Sequence, residues 1–197
     1  MNKLGRATKN EQKKLAAYLR NKERHGGLTD AEISILKRLD PNSSLNNKIS
    51  QAVNAQKISS DLSDKYGFGE KPKKTVASDG SINTLSGWKI LDDNSEFTRV
   101  LPEKVIAKSN EIGHDLRNTG ANDQGVPGRY NASHAEKQLS IVSDNPIGIS
   151  QPMCLDCQNY FNKLASSEGK TYVTADPHTI RIFEPDDAVT VIKRERR

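Results

Sequence analysis

The chain has 197 residues, a formal net charge of +5, 34% hydrophobic and 28% charged residues, and a mean hydropathy of −0.75. That length allows one domain of ordinary size with an appended segment, and the low hydrophobic content implies that part of the chain is solvated helix or extended backbone. No apolar run approaches the roughly 20 residues of a membrane span, and the opening MNKLGRATKNEQKK lacks the apolar core of a Sec-type signal. The expected location is a reduced, cytoplasmic compartment; delivery by a specialised secretion system, or as part of a longer polypeptide, stays open.

Charge is unevenly spread. Residues 1–74 carry 16 basic against 8 acidic side chains, a balance of +8, and residues 75–197 carry 14 against 17, a balance of −3. A basic segment favours phosphate backbones or anionic surfaces, although charge runs are usually solvated faces.

In chain order, residues 8–24 read as a charged helix with Leu15, Tyr18 and Leu19 as a narrow apolar stripe. A second helix starts at Thr29, with Glu32 three residues on as a capping box and Ile33, Leu36 and Leu39 on one face. A third runs from Leu45 to Tyr66 with Ile49, Val53, Ile58 and Leu62 at helical spacing. Residues 1–66 thus form an expected basic helical region. The Gly-, Lys-, Pro- and Ser-rich stretch 67–84 reads as a linker, and 85–197 as the catalytic domain.

Within that domain, 88–91 and 97–101 are strand candidates. Pro102 suits the first turn of a helix reaching Arg117, with Val105, Ile106 and Ile112 as its apolar positions. Residues 118–128 form a polar, glycine-rich loop of the kind that often binds ligands. A helix over 134–143 would bury Ala135, Leu139 and Val142, Ile147–Ile149 reads as a buried strand, and a helix from Cys154 to Ser166 presents Tyr160, Phe161 and Leu164. Residues 170–175 and 179–183 should pair as an antiparallel hairpin around Asp176-Pro177-His178. Val189–Ile192 adds a frayed last strand. The order predicts an α/β domain of three layers.

The chemistry concentrates between Arg129 and Phe161. His134 and the chain's only two cysteines, Cys154 and Cys157, give three zinc ligands and leave a fourth tetrahedral position for water. Cys154 and Cys157, three apart, project the same way from the first turn of one helix, whose N-terminus favours thiolates. Glu136 lies two residues past the histidine, within reach of that water as a proton carrier. A redox reading of the C-x-x-C is disfavoured, because no thioredoxin-like pattern precedes it. A closed structural site completed by His114 or His178 remains the alternative.

His134-Ala135-Glu136 followed by Pro152-Met153-Cys154-Leu155-Asp156-Cys157 resembles the zinc signature of the cytidine-deaminase-like superfamily. Within it, the residues look most like the deaminase domains of bacterial polymorphic toxins and the DYW deaminase domain. The shared features are a HAEK-like start, CxDC, and a hairpin from Val173 to Asp186. The resemblance covers about residues 85–190 and implies a mixed sheet, Zn²⁺ held between two helices, and DNA, RNA or a nucleotide as substrate. Among toxins it also implies an immunity protein or a delivery partner. Two departures stand out: Met153 separates Pro152 from Cys154, and only 20 residues separate His134 from Cys154.

Three functions are therefore expected, in this order. The first is a hydrolytic deaminase converting cytosine to uracil in DNA or RNA, as a toxin effector. The second is a free nucleoside or nucleotide deaminase, and the third a binding module with a structural zinc site. Base deamination needs an unstacked base against an aromatic or apolar wall, for which Tyr130 and the 118–128 loop are the obvious suppliers. Asn131, Ser133 and Ala135, which flank the motif, complete the candidate substrate-binding set.

Overall fold

A computed structural model of the chain describes residues 9–26, 29, 32, 35, 36, 39, 44–69, 73–88 and 96–194. Its centre is a six-stranded mixed sheet in the order β2-β1-β3-β4-β5-β6. The strands are β1 (Val76–Ser78), β2 (Asn83–Leu85), β3 (Ile147–Ile149), β4 (Tyr172–Ala175), β5 (Thr179–Phe183) and β6 (Val189–Lys193). Only β3 and β4 run parallel, joined through a helix; every other neighbouring pair is antiparallel. That matches the rule that parallel neighbours need a long crossover while hairpins serve the rest.

Helices cover both faces, giving the expected three layers. On one face lies α2 (Ser44–Lys65), preceded by α1 (Lys9–Gly26) beside the edge strand β6. On the other face α5 (Ala135–Ser140) and α6 (Leu155–Glu168) pack, reached through α3 (Pro102–Glu111) and the one-turn α4 (Arg129–Ala132). Alternation along the strands sorts the two cores. Val173, Ala175, Ile180 and Ile182 join Ile49 and Ala52 of α2. Tyr172 and Phe183 join Phe161, Leu164 and Tyr160 of α6 on the opposite side. There Phe161 lies 5.7 Å from Phe183 and 5.5 Å from Tyr160 between ring centroids, the offset and edge arrangements aromatic rings prefer.

The helix α2 is thus a layer of the main fold. Residues 67–84, expected as a linker, hold the β1–β2 hairpin, and α2 before them buries Ile49, Ala52 and Ala55 against the sheet. In β3, Ile147 and Ile149 point into the α5–α6 core, and Gly148 points at α2. A Cβ on Gly148 would sit 1.8 Å from the backbone nitrogen of Gln56. The missing side chain is what lets helix and strand touch.

Other expectations shift for local reasons. The capping box is present: the Thr29 amide donates to Glu32 and the Glu32 amide donates to Thr29 Oγ1. Ile33 lies outside the described residues, while Leu36 packs with Ala16 and Leu19. Tyr18 is 61% exposed, Ile58 36% and Val142 40%, so none belongs to the core its spacing suggested. Residues 97–101 are not a strand, and 89–91 lie outside the described residues. The two N-terminal strands exist, but earlier in the chain. Pro102 opens α3, which ends at Glu111 rather than near Arg117. Gly113, at φ 68°, turns the chain there and lets His114 enter the core beside Tyr160. Among the described residues no helix is long and apolar enough to cross a membrane.

Replacing Gly148 with alanine should push α2 off the sheet and cost about 3 kcal/mol of stability, since backbone cannot yield as a side-chain tip can. Denaturant unfolding would measure it; an unchanged midpoint would contradict this packing.

Candidate active site

The site forms where two helices begin side by side. His134 is the N-cap residue of α5 and Cys154 that of α6. His134 Nδ1 lies 3.1 Å from Cys157 Sγ and 3.4 Å from Cys154 Sγ, and the Cys157 amide donates to Cys154 Sγ at 3.4 Å. One ligand atom from each of His134, Glu136, Cys154 and Cys157 falls within 4.8 Å of the others. A tetrahedral zinc with ligand distances of about 2.0–2.3 Å spaces its ligand atoms by roughly 3.5 Å, so the imidazole and the two sulfurs fit one ion. Nitrogen and thiolate donors in that geometry suit zinc among the common metals.

Electrostatics prepares the sulfurs differently. A hydrogen bond with Cys157 and the neighbouring His134 pull the Cys154 thiol down to about 4, while complete burial pushes Cys157 well above the usual thiol range. Burial would lower the His134 imidazole, but its bond to Cys154 and the charge of Glu136 raise it overall. Holding a metal here would require Cys157 as the thiolate, so uptake would weaken as pH falls.

Glu136 is 3% exposed, and no hydrogen bond occupies its carboxylate among the described residues. It lines a cleft of about 340 Å³ together with Tyr130, Ser133, His134, Pro152 and Cys154, with Lys73 and Lys74 also in the wall. Tyr130 is 47% exposed and meets the His134 ring edge-on, centroids 5.9 Å apart. Of the four residues expected to bind substrate, Tyr130 and Ser133 line this cleft. Asn131 and Ala135 do not: both are buried, and Asn131 donates to the Arg117 carbonyl at 2.8 Å. On a short helix, residues that flank a motif in sequence turn to the opposite side. Neither His114 nor His178 joins the cluster. His114 faces Asp156 at 3.4 Å, and His178 is exposed on the β4–β5 turn.

The supporting residues are ones that spacing did not single out. Lys137, fully buried, pairs through Nζ with Asp156 and donates to the Asn131 carbonyl at 3.2 Å. It therefore bolts the helix carrying His134 and Glu136 to the turn between the two cysteines. Asp156 is held at about 2: burial would raise it, but His114 and Lys137 win. Asp176 accepts from the amides of His178, Thr179 and Met153, and from Arg181 at 2.6 Å, fixing the segment that enters Cys154. Met153, 4% exposed, fills the core, which leaves Pro152 on the cleft wall. From the β2 side, Thr84 Oγ1 donates to the Ala135 carbonyl, Gln138 donates to Leu85 and Ser133, and the Gly87 amide donates to Ser133. Asp123 accepts from the Thr119 and Tyr130 amides at 2.7 and 2.8 Å, pinning the glycine-rich loop to the tyrosine.

Residues 83–140 match the family described as single-strand DNA deaminase toxin A, C-terminal. The match spans β2 to α5, includes His134, Glu136 and Lys137, and ends before the cysteines. No match was found among the curated proteins. The matched segment is thus similar to a deaminase toxin family, and the cluster beside it could hold a metal ion.

Two outcomes follow. Lys137→Met should cost about 3–5 kcal/mol of stability by stranding the Asp156 charge, and weaken any metal binding at the cluster roughly 10- to 100-fold; denaturation and metal competition would measure these, and unchanged metal affinity would contradict the bolt. Asp123 is depressed to about 2, against its burial, by the Thr119 and Tyr130 amides. Its contribution is complete above the ordinary aspartate pKa of about 3.9 and is lost as pH falls toward 2. Asp123→Asn should show that acid sensitivity already at neutral pH, as faster amide exchange at Tyr130.

Proposed function

We propose that the chain is a zinc-dependent hydrolytic deaminase of the cytidine-deaminase type, converting cytosine to uracil in single-stranded DNA and acting as a toxin effector. The observation that carries this reading is the grouping of one imidazole, two sulfurs and a buried carboxylate, with His134, Glu136 and Cys154 lining one cleft and Cys157 buried beside them. A closed structural zinc site would want a fourth protein ligand; His114 and His178 lie outside the cluster, and Glu136, which lies inside it, is the proton carrier in this reading.

His134, Cys154 and Cys157 are the proposed ligands. Zinc, when bound, supplies a water acidic enough to ionise near neutral pH. Glu136 takes a proton from the attacking water and delivers it to the cytosine ring nitrogen, then a second to the departing amine. Overall, water adds its oxygen at the amine-bearing carbon and ammonia leaves. Burial of Glu136 keeps bulk solvent from competing for those protons. Tyr130 offers the aromatic face that an unstacked base requires.

Single-stranded DNA as the substrate rests on the family match over residues 83–140, and Lys73 and Lys74 in the wall suit a phosphate backbone. A free nucleoside is the second reading, favoured by a volume of about 340 Å³ that suits one small ligand. A toxin of this kind implies an immunity protein that covers the cleft and a delivery partner.

A panel of single-stranded DNA, duplex DNA, RNA, cytidine and adenosine should yield uracil from single-stranded DNA, little from duplex because pairing hides the base, and no inosine. Uracil only from free cytidine would establish the second reading; no product from any member would refute both.

A further inference from the structure

Cys154 hangs on a short irregular segment. β3 ends at Ile149, and Ser150 is still tied to β1: its amide donates to the Val76 carbonyl and its Oγ accepts from the Val76 amide. Pro152 has no amide to give. The last backbone amide before Cys154 is that of Met153, which donates to the Asp176 carboxylate at 3.2 Å. Whatever sets Asp176 therefore sets the approach to the first cysteine.

We propose that Arg194 is a positioning residue for Cys154, acting on both ends of residues 150–153 at once. The inference rests on the ligand set proposed above, which gives Cys154 a geometry to keep. Arg194 follows β6, remote in sequence from the site, and does not line the cleft. Its amide donates to the His178 carbonyl at 2.8 Å. Its Nη1 donates to the Asp176 carbonyl at 2.7 Å and to Gln56 Oε1 at 2.8 Å.

The bonds to His178 and Asp176 hold the β4–β5 turn from outside. Asp176 is buried, and its carboxylate also collects the His178 and Thr179 amides, Thr179 Oγ1 and Arg181. Those partners lie within residues 176–181, so they shape the turn without fixing it against a helix. Arg194 supplies that tie.

The bond to Gln56 reaches the other end of the segment. Gln56 is buried on α2, and its backbone nitrogen is the atom that a Cβ on Gly148 would strike at 1.8 Å. Gly148 lies two residues before Ser150 and pairs with Ala175, the residue before Asp176. One guanidinium thus joins the helix that seats β3 to the turn that catches Met153. It stays charged at any ordinary pH, and charge-assisted bonds are roughly twice as strong as neutral ones. The second cysteine needs no such support, because Cys157 is already inside α6.

The test compares three full-length variants with wild type: Arg194→Met, which keeps the reach but has no donor; Gln56→Met, which removes only the α2 acceptor; and Leu19→Ala, a destabilised control in the α1 cluster. Each is loaded with Co²⁺, whose visible absorption follows the arrangement of its sulfur and nitrogen donors, and its affinity is read by competition with a chelator. Arg194→Met should bind Co²⁺ about tenfold more weakly, with shifted bands. Gln56→Met should show a smaller loss in the same direction. Leu19→Ala should unfold at lower denaturant yet keep the wild-type bands and affinity. Wild-type bands and affinity in Arg194→Met would overturn the proposal, as would an equal shift in Leu19→Ala, since lost stability alone would then explain it. If Arg194→Met does not fold, Gln56→Met decides: wild-type bands and affinity there would overturn it. Failure of wild type to bind Co²⁺ at all would instead fall on the ligand set.

Discussion

Lys137 is fully buried, and the Asp156 carboxylate is what makes an ammonium tolerable there. Everything at the site depends on that pair. It spans the two places where the clustered side chains originate: the first turn of α5, just past His134 and Glu136, and the turn between Cys154 and Cys157. Because both groups sit inside helices, whose geometry is rigid, one ion pair sets the distance between a histidine and two sulfurs. His114 Nε2 lies 3.4 Å from the Asp156 carboxylate and its ring meets Tyr160 edge-on, so the bolt sits against the core.

Two further aspartates do for the loops what Asp156 does for the helices. Asp123 ties the glycine-rich loop to Tyr130, and Asp176 ties the approach to Cys154 to the β4–β5 turn. All three are held below the ordinary aspartate range by the groups that bond them. The active-site walls are thus loops in sequence but nearly as determined as the helices, because each is pinned by a carboxylate collecting backbone amides. Behind them, the contact of α2 with Gly148 holds β3 in place, and β3 leads directly to Pro152 and Cys154.

The grouping of His134, Glu136, Cys154 and Cys157 was legible because its information is local: His134 to Glu136 is two residues and Cys154 to Cys157 is one helical turn. The C-terminal hairpin was legible for the same reason. Spacing said less where a side chain's partner is remote. It put Asn131 and Ala135 beside the substrate, yet the four-residue α4 turns Asn131 to the Arg117 carbonyl and the start of α5 turns Ala135 into the core. It read residues 67–84 as a linker because Gly, Lys and Ser are poor strand formers, whereas burial of Val76, Ala77 and Thr84 between helices overrides that weak preference. The polar face of α2 concealed its role for a related reason: Gln56, Ser59 and Ser63 are buried beside small alanines, and a helix pressed on a glycine needs small residues more than apolar ones. Lys137 and Asp156 stood inside the motifs, but nothing in a linear spacing shows that a lysine is buried.

In the proposed reaction Glu136 moves protons at a metal held by His134, Cys154 and Cys157. The most direct measurement is Glu136→Ala, purified and assayed for bound zinc and for uracil formed in single-stranded DNA. The expected result is full zinc occupancy with no uracil. Zinc lost along with the carboxylate would make Glu136 a ligand, and uracil formed at the wild-type rate would remove it from the chemistry; either result contradicts the claim.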